Sequence, residues 1–158
     1  MKKILLLIFS LMIIAGCQNN SEFRKIKIGN QDLRVQIADE ALEMAKGLSG
    51  RKSLPADEGM LFIYPDYRRP GFWMKEMQFP LDLIWIKNDK IVDITTNVPV
   101  PTTTPLLHYW PKEPINYVLE VNAGFVQTNK IKIGDQVDFD KNWQLVDNPI
   151  SWKYKLRI

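Results

Sequence analysis

Four consecutive apolar residues, Leu83-Ile84-Trp85-Ile86, constrain the fold of this chain more than any other stretch. A strand sends alternate side chains to opposite faces, so an uninterrupted apolar run of this length predicts a strand covered on both sides. A tryptophan in that run predicts a deep core. The run is followed by Lys87-Asn88-Asp89-Lys90 and then Ile91-Val92-Asp93-Ile94, a turn and a returning strand. A second hairpin is predicted around Gly29-Asn30, where Ile26 and Ile28 alternate with lysines and Leu33, Val35 and Ile37 alternate with Arg34 and Gln36.

The other elements are short. Asp39 is placed as the cap of a helix over EALEMAKG, with Ala41, Met44, Ala45 and Leu48 on one face and Gly47 at its end. Met60 to Tyr64 reads as a buried strand stopped by Pro65, and GFWM as another. In YVLEV, Tyr117, Leu119 and Val121 take one face and Glu120 the other. Asn122 is placed as the cap of a short helix over AGFVQTNK, and IKIGDQVDF leads into a closing strand. Many short strands with two short helices predict a mainly β domain, a β-sandwich or open barrel. Val98 to Pro114 contains five of the ten prolines, so no continuous strand or helix reads there. Long ordered loops of this kind commonly carry function.

The N-terminus predicts export. Met1-Lys2-Lys3 is basic, Ile4 to Ile14 is almost wholly apolar, and Ala15-Gly16-Cys17 follows. This order of features describes a secretory signal over residues 1–16, and the apolar run is shorter than the roughly 20 residues that a membrane span needs. The Ala15-Gly16-Cys17 step resembles a bacterial lipoprotein processing site, which implies lipid on Cys17. Residues 17–22 then read as a polar tether, residues 23–141 as one domain and residues 142–158 as a C-terminal extension. The expected location is the cell envelope, periplasmic or on the outer face of a bacterial membrane, with the lipid as the membrane contact. Cys17 is the only cysteine, so lipidation would leave the domain without disulfides. The formal net charge of +3 falls near +1 once Lys2 and Lys3 leave, and no basic run exceeds two residues. A nucleic-acid partner, which needs a clustered basic face, is not expected.

Three blocks in order, GLSGRKSLPADEGMLFIYP, FWMKEMQFPLDLIWI and YVLEVNAG with KIKIGD, resemble the uncharacterised bacterial and archaeal family called domain of unknown function 192. The resemblance covers Leu33 to Phe139. Ser49 stands where the family usually has Met, and Glu76-Met77 where it usually has Asn-Thr. The resemblance implies a mainly β, sandwich-like domain and brings no activity and no catalytic residues.

The chemistry-bearing residues divide three ways. His108 is the only histidine and has no nucleophile motif beside it, which disfavours a triad. Asp82 and Glu120 could form an acid–base pair for a hydrolase, although buried carboxylates are more often paired, and Arg51 and Lys75 are available. Arg51 is expected as a structural partner of Asp82. Met44, Met60, Met74 and Met77, with His108 and Trp73, have the softness for Cu(I), but methionines in apolar stretches normally fill core gaps, so no metal or other cofactor is expected. Trp73, Lys75, Asp82, Tyr109, Trp110 and Glu120 have the composition of a ligand cleft, with aromatic walls and few polar anchors. The preferred expectation is a non-catalytic extracytoplasmic binding domain for a small molecule, a glycan or an envelope partner, with the Pro-rich loop over a cleft walled by Trp73. The alternatives are a hydrolase using Asp82 or Glu120, and a structural envelope lipoprotein.

Overall fold

A computed structural model describes residues 23–139. The signal, Cys17, the tether and the C-terminal extension lie outside these residues. The described chain runs β1 (Phe23–Ile28), β2 (Gln31–Ala38), α1 (Ala41–Lys46), β3 (Glu58–Arg68), β4 (Phe72–Trp73), β5 (Leu81–Lys87), β6 (Lys90–Val98), β7 (His108–Tyr109), β8 (Ile115–Asn122), α2 (Phe125–Thr128) and β9 (Val137–Phe139).

Seven strands form one curled sheet in the order β6-β5-β8-β3-β2-β1-β9, and β4 and β7 form a separate ribbon. Among the described residues, only β2 and β3 pair in parallel. The two ends of the large sheet meet at one rim: Lys90 bridges Gln136, and the Val137 amide donates to the Asp89 carbonyl at 2.7 Å. The curl is therefore almost closed there, which makes the open-barrel alternative the apt description.

Period-two alternation divides the core. Ile84, Ile86, Leu119, Val121, Leu61, Ile63, Leu33 and Val35 point to the inner face, where Phe125 and Val126 of α2 join them. Leu81, Leu83, Trp85, Val118, Met60 and Phe62 point to the outer face and pack under Leu48, Phe72, Met74 and Met77. Every residue from Leu81 to Ile86 is buried, as the apolar run requires. Trp85 is fully enclosed, meets Phe72 edge-on at 5.5 Å, and donates from Nε1 to Thr95 Oγ1 at 3.0 Å, so its one polar atom is satisfied.

Four local expectations change. Strand β3 continues through Pro65 to Arg68. Its register against β8 shifts between Ile63 and Arg68, so the proline falls where no ladder donor is needed. The N-cap of α1 is Glu40, not Asp39; the Glu40 amide donates to the Glu43 carboxylate at 3.4 Å. Gly124, not Asn122, precedes α2. The Asn122 amide instead donates to the Leu54 and Pro55 carbonyls, pinning the turn before β3. The Pro-rich segment contains a strand after all: β7 pairs with β4, placing Phe72 opposite Tyr109 and Trp73 opposite His108.

Candidate functional site

The outer face of β8 carries one ionisable group, Glu120. Alternation points it away from Leu119 and Val121 and into the cluster around Phe62 and Leu83, with Met60 and Leu83 as its register neighbours on β3 and β5. Only 5 % of Glu120 is exposed, and its Oε2 has no hydrogen-bond partner among the described residues. Such an oxygen is costly, since a buried polar atom without a partner loses its hydration and gains nothing in exchange. Burial pushes the Glu120 carboxyl up to about 8, and the charge of Arg51 only partly offsets this. The acid is therefore mostly protonated at neutral pH.

Glu120 forms the floor of a cleft of about 100 Å³ whose walls are Phe62, Phe72, Trp73, Met77 and the end of α1 from Met44 to Ser49. Gly47 ends α1 with φ +49° and ψ −133°, a sparsely populated region that costs a side-chain-bearing residue about 1–3 kcal/mol. A Cβ built on Gly47 would sit 3.3 Å from the Phe62 ring and 3.9 Å from Glu120 Oε2, so the glycine keeps the cleft open above the acid. The Ser49 hydroxyl donates to the Lys75 carbonyl at 2.7 Å, which ties the turn after α1 to the turn after β4. A wider groove of about 540 Å³ shares Lys46, Gly47 and Ser49 with the cleft and extends over Gln36, Arg51 and Met60.

Of the six residues expected to bind ligand, Trp73 and Glu120 share this cleft. Asp82 lies on the inner face of the sheet, fully buried, where its Oδ1 accepts from the Asn97 amide at 2.8 Å and its Oδ2 from the Val126 amide at 3.0 Å. The expected Arg51–Asp82 pair does not form. Asp82 is satisfied by backbone donors, and Arg51 Nη2 donates to Gln36 Oε1 at 2.5 Å. Lys75 is exposed, with Glu76 at 3.9 Å, and does not line the cleft. Tyr109 lines a different pocket of about 240 Å³ beneath the Pro-rich loop, together with Met74, Leu106 and Leu107. Trp110 lies flat against Gly71, where a Cβ would come within 2.7 Å of its Nε1. No residue of the Pro-rich segment lines the Glu120 cleft.

Gly47, Phe62, Phe72 and Met77 line the cleft without being among the six residues expected to bind ligand; Met77 has only the Cu(I) reading, and His108, with its triad and Cu(I) readings, stands beside the wall. The His108 ring meets the Trp73 and Trp110 rings, each at 5.4 Å. A usable signal existed for Gly47, Phe62 and Phe72: each falls in one of the three sequence blocks, and the cleft is where those blocks converge. Met60, Met74 and Met77 are packed in the outer core, and no cluster of three or more His, Cys, Asp or Glu able to hold a metal occurs among the described residues.

The profile of DUF192, a family described as Uncharacterized ACR, matches residues 24–139. The chain belongs to the DUF192 family. A UPF0127 protein of Pyrococcus furiosus is 25 % identical over 115 residues, spanning 69 % of this chain and 89 % of that one. The crystal structure of a proposed transcription regulator from Sinorhizobium meliloti 1021 is 30 % identical with a TM-score of 0.68, covering 75 % of this chain and 95 % of that one. A protein of unknown function from Novosphingobium aromaticivorans DSM 12444 is 30 % identical with a TM-score of 0.66, covering 74 % and 85 %. All three blocks of this DUF192 domain that line the cleft lie inside the matched region.

Proposed function

We propose that this DUF192 protein is a non-catalytic binding domain that takes a small ligand in the Glu120 cleft and is held to a membrane by lipid on Cys17. The unpartnered Oε2 of Glu120, facing an open aromatic-walled cleft, carries the reading: a bound group would supply the missing hydrogen bond. The cleft volume favours a small molecule or a single head group over a glycan, because drug-sized ligands occupy roughly 300–1,000 Å³. A glycosidase would need two carboxyls flanking one bond, and Asp82 and Glu120 leave opposite faces of the sheet. The Ser49 hydroxyl is already engaged with a carbonyl, so it offers no activated nucleophile.

A fragment screen by ligand-observed NMR on the exported protein tests the binding reading. Hits that are displaced or weakened by Glu120→Gln support it, and an equal hit list for Glu120→Gln and the parent removes it. The anchor is tested separately. Cys17→Ser should leave the domain folded and move it from the membrane fraction to the soluble fraction; persistent acyl labelling of the Ser variant refutes lipidation at Cys17.

A further inference from the structure

Resting on the binding reading above, we infer that the Glu120 cleft is a site for an alkylammonium head group. Three features of its lining converge on a small organic cation. The floor is a carboxyl whose Oε2 lacks any donor, and a cation that donates hydrogen bonds is the one kind of group that satisfies both its charge and its lone pairs. The walls Phe62, Phe72 and Trp73 present three aromatic rings, whose faces attract cations. Met77, Leu48, Met44 and Ala45 add apolar lining that suits an alkyl stem, while the Ser49 hydroxyl and the exposed Lys46 stand at the edge of the cleft. The volume of about 100 Å³ accommodates a head group and short stem, and the adjoining groove over Gln36 and Arg51 has room for whatever the stem is attached to.

Charge in the surroundings sets the pH behaviour. Arg51 acts on Glu120 through its charge, Tyr64 on β3 is coupled to Glu120 and to Arg68, and Lys46 sits exposed at the rim. Tyr64, pushed up to about 12 chiefly by its own burial, stays neutral throughout the useful range. In the free protein the carboxyl holds its proton up to about pH 8. Binding the ammonium requires the carboxylate, so complex formation releases the Glu120 proton to solvent, and ligand and proton compete for the same oxygen. Affinity for an ammonium therefore rises with pH up to about 8 and levels off above it. A ligand that accepts a hydrogen bond from the protonated acid, such as a carboxylate, would show the opposite slope.

The shared chemistry has two sources, a free alkylamine or a lysyl side chain of a polypeptide, and the adjoining groove of about 540 Å³ is open to either. Calorimetric titration of the full chain with n-butylammonium between pH 6 and pH 8.5, in two buffers of different ionisation enthalpy, is the test. The expected result is an affinity that climbs about tenfold per pH unit below pH 8, with close to one proton released per ligand at pH 6.5. Glu120→Gln, of nearly the same shape, should lose at least tenfold at pH 8 and show no pH slope. Trp73→Ala, at the exposed wall, should weaken binding several-fold without changing the melting temperature. Tenfold tighter binding of Nα-acetyl-lysine amide than of n-butylammonium assigns the head group to polypeptide lysines; equal binding assigns it to free amines. A pH-independent affinity, an undiminished Glu120→Gln, or tighter binding of n-butyrate or n-butanol overturns the cation assignment. In the butyrate or butanol case the cleft still stands as a binding site; if none of the probes or the fragment library binds, both readings fall.

Discussion

Asp82 and Glu120 are both acidic, both buried, and carried by neighbouring strands of one sheet, yet they differ in their hydrogen-bond partners. Asp82 faces inward and meets two backbone amides, one from the end of β6 and one from α2, so each carboxylate oxygen has a donor. Glu120 faces outward into a cleft kept open by a glycine, and its Oε2 has none. A carboxylate fully matched by donors is a structural fastening; it closes the gap between the sheet and α2. A carboxyl left unmatched at the bottom of an opening stores a cost that a ligand can relieve. Burial alone does not separate these two carboxyls; the donor inventory does.

The contrast can be broken most forcefully through pH. Glu120 titrates near 4.5 when unfolded and near 8 when folded, so the folded state holds a proton that the unfolded state has released anywhere between those values. Its stability contribution is therefore intact below about pH 4.5 and is lost as pH rises through 8. At about 1.4 kcal/mol per unit, the loss is on the order of 5 kcal/mol. Denaturant titrations at pH 5 and pH 8.5 should show this decline in the parent and a much flatter profile in Glu120→Gln; parallel profiles would show that the acid is solvated.

The next largest effect belongs to Asp82. Asp82→Ala strands the buried Val126 amide and the half-buried Asn97 amide at roughly 1–3 kcal/mol each, and should lower stability by about 3 kcal/mol at pH 7. Unfolding midpoints decide the matter, and a loss under about 1 kcal/mol would mean that water replaces the carboxylate.

Gly47→Ala sharpens the comparison from the cleft side. The positive φ and the approach to Phe62 should cost about 1–3 kcal/mol. The added methyl also narrows the space over Glu120, so the variant should bind cleft ligands more weakly than its stability loss explains.

Trp110→Ala should have the smallest effect. The side chain is 55 % exposed and rests on Gly71 outside the cleft, so a loss within about 1 kcal/mol and unchanged cleft binding are expected. A large drop in melting temperature would make Trp110 part of the outer core that Phe72 already joins.

The local elements were legible because their signals are local. The GNQD and KNDK hairpins, the two-sided burial of Leu81 to Ile86, the helix ending at Gly47 and the outward direction of Glu120 all follow from alternation, turn residues and period. The β7 strand was not, because His108 and Tyr109 have no pattern of their own and become a strand only by pairing with Phe72 and Trp73.

Partnership was decided by the tertiary structure. From the sequence, Asp82 needed a partner, and a cation such as Arg51 was the natural choice. Folding supplied instead the amides of Asn97 and Val126, residues that any side chain could occupy. Every backbone unit carries the same donor, so no residue type announces it. Glu120 likewise shows only its alternation in the sequence. Whether its oxygen meets a donor or an opening depends on Gly47 and Phe72, many residues away, and on which groups the closing sheet brings against it.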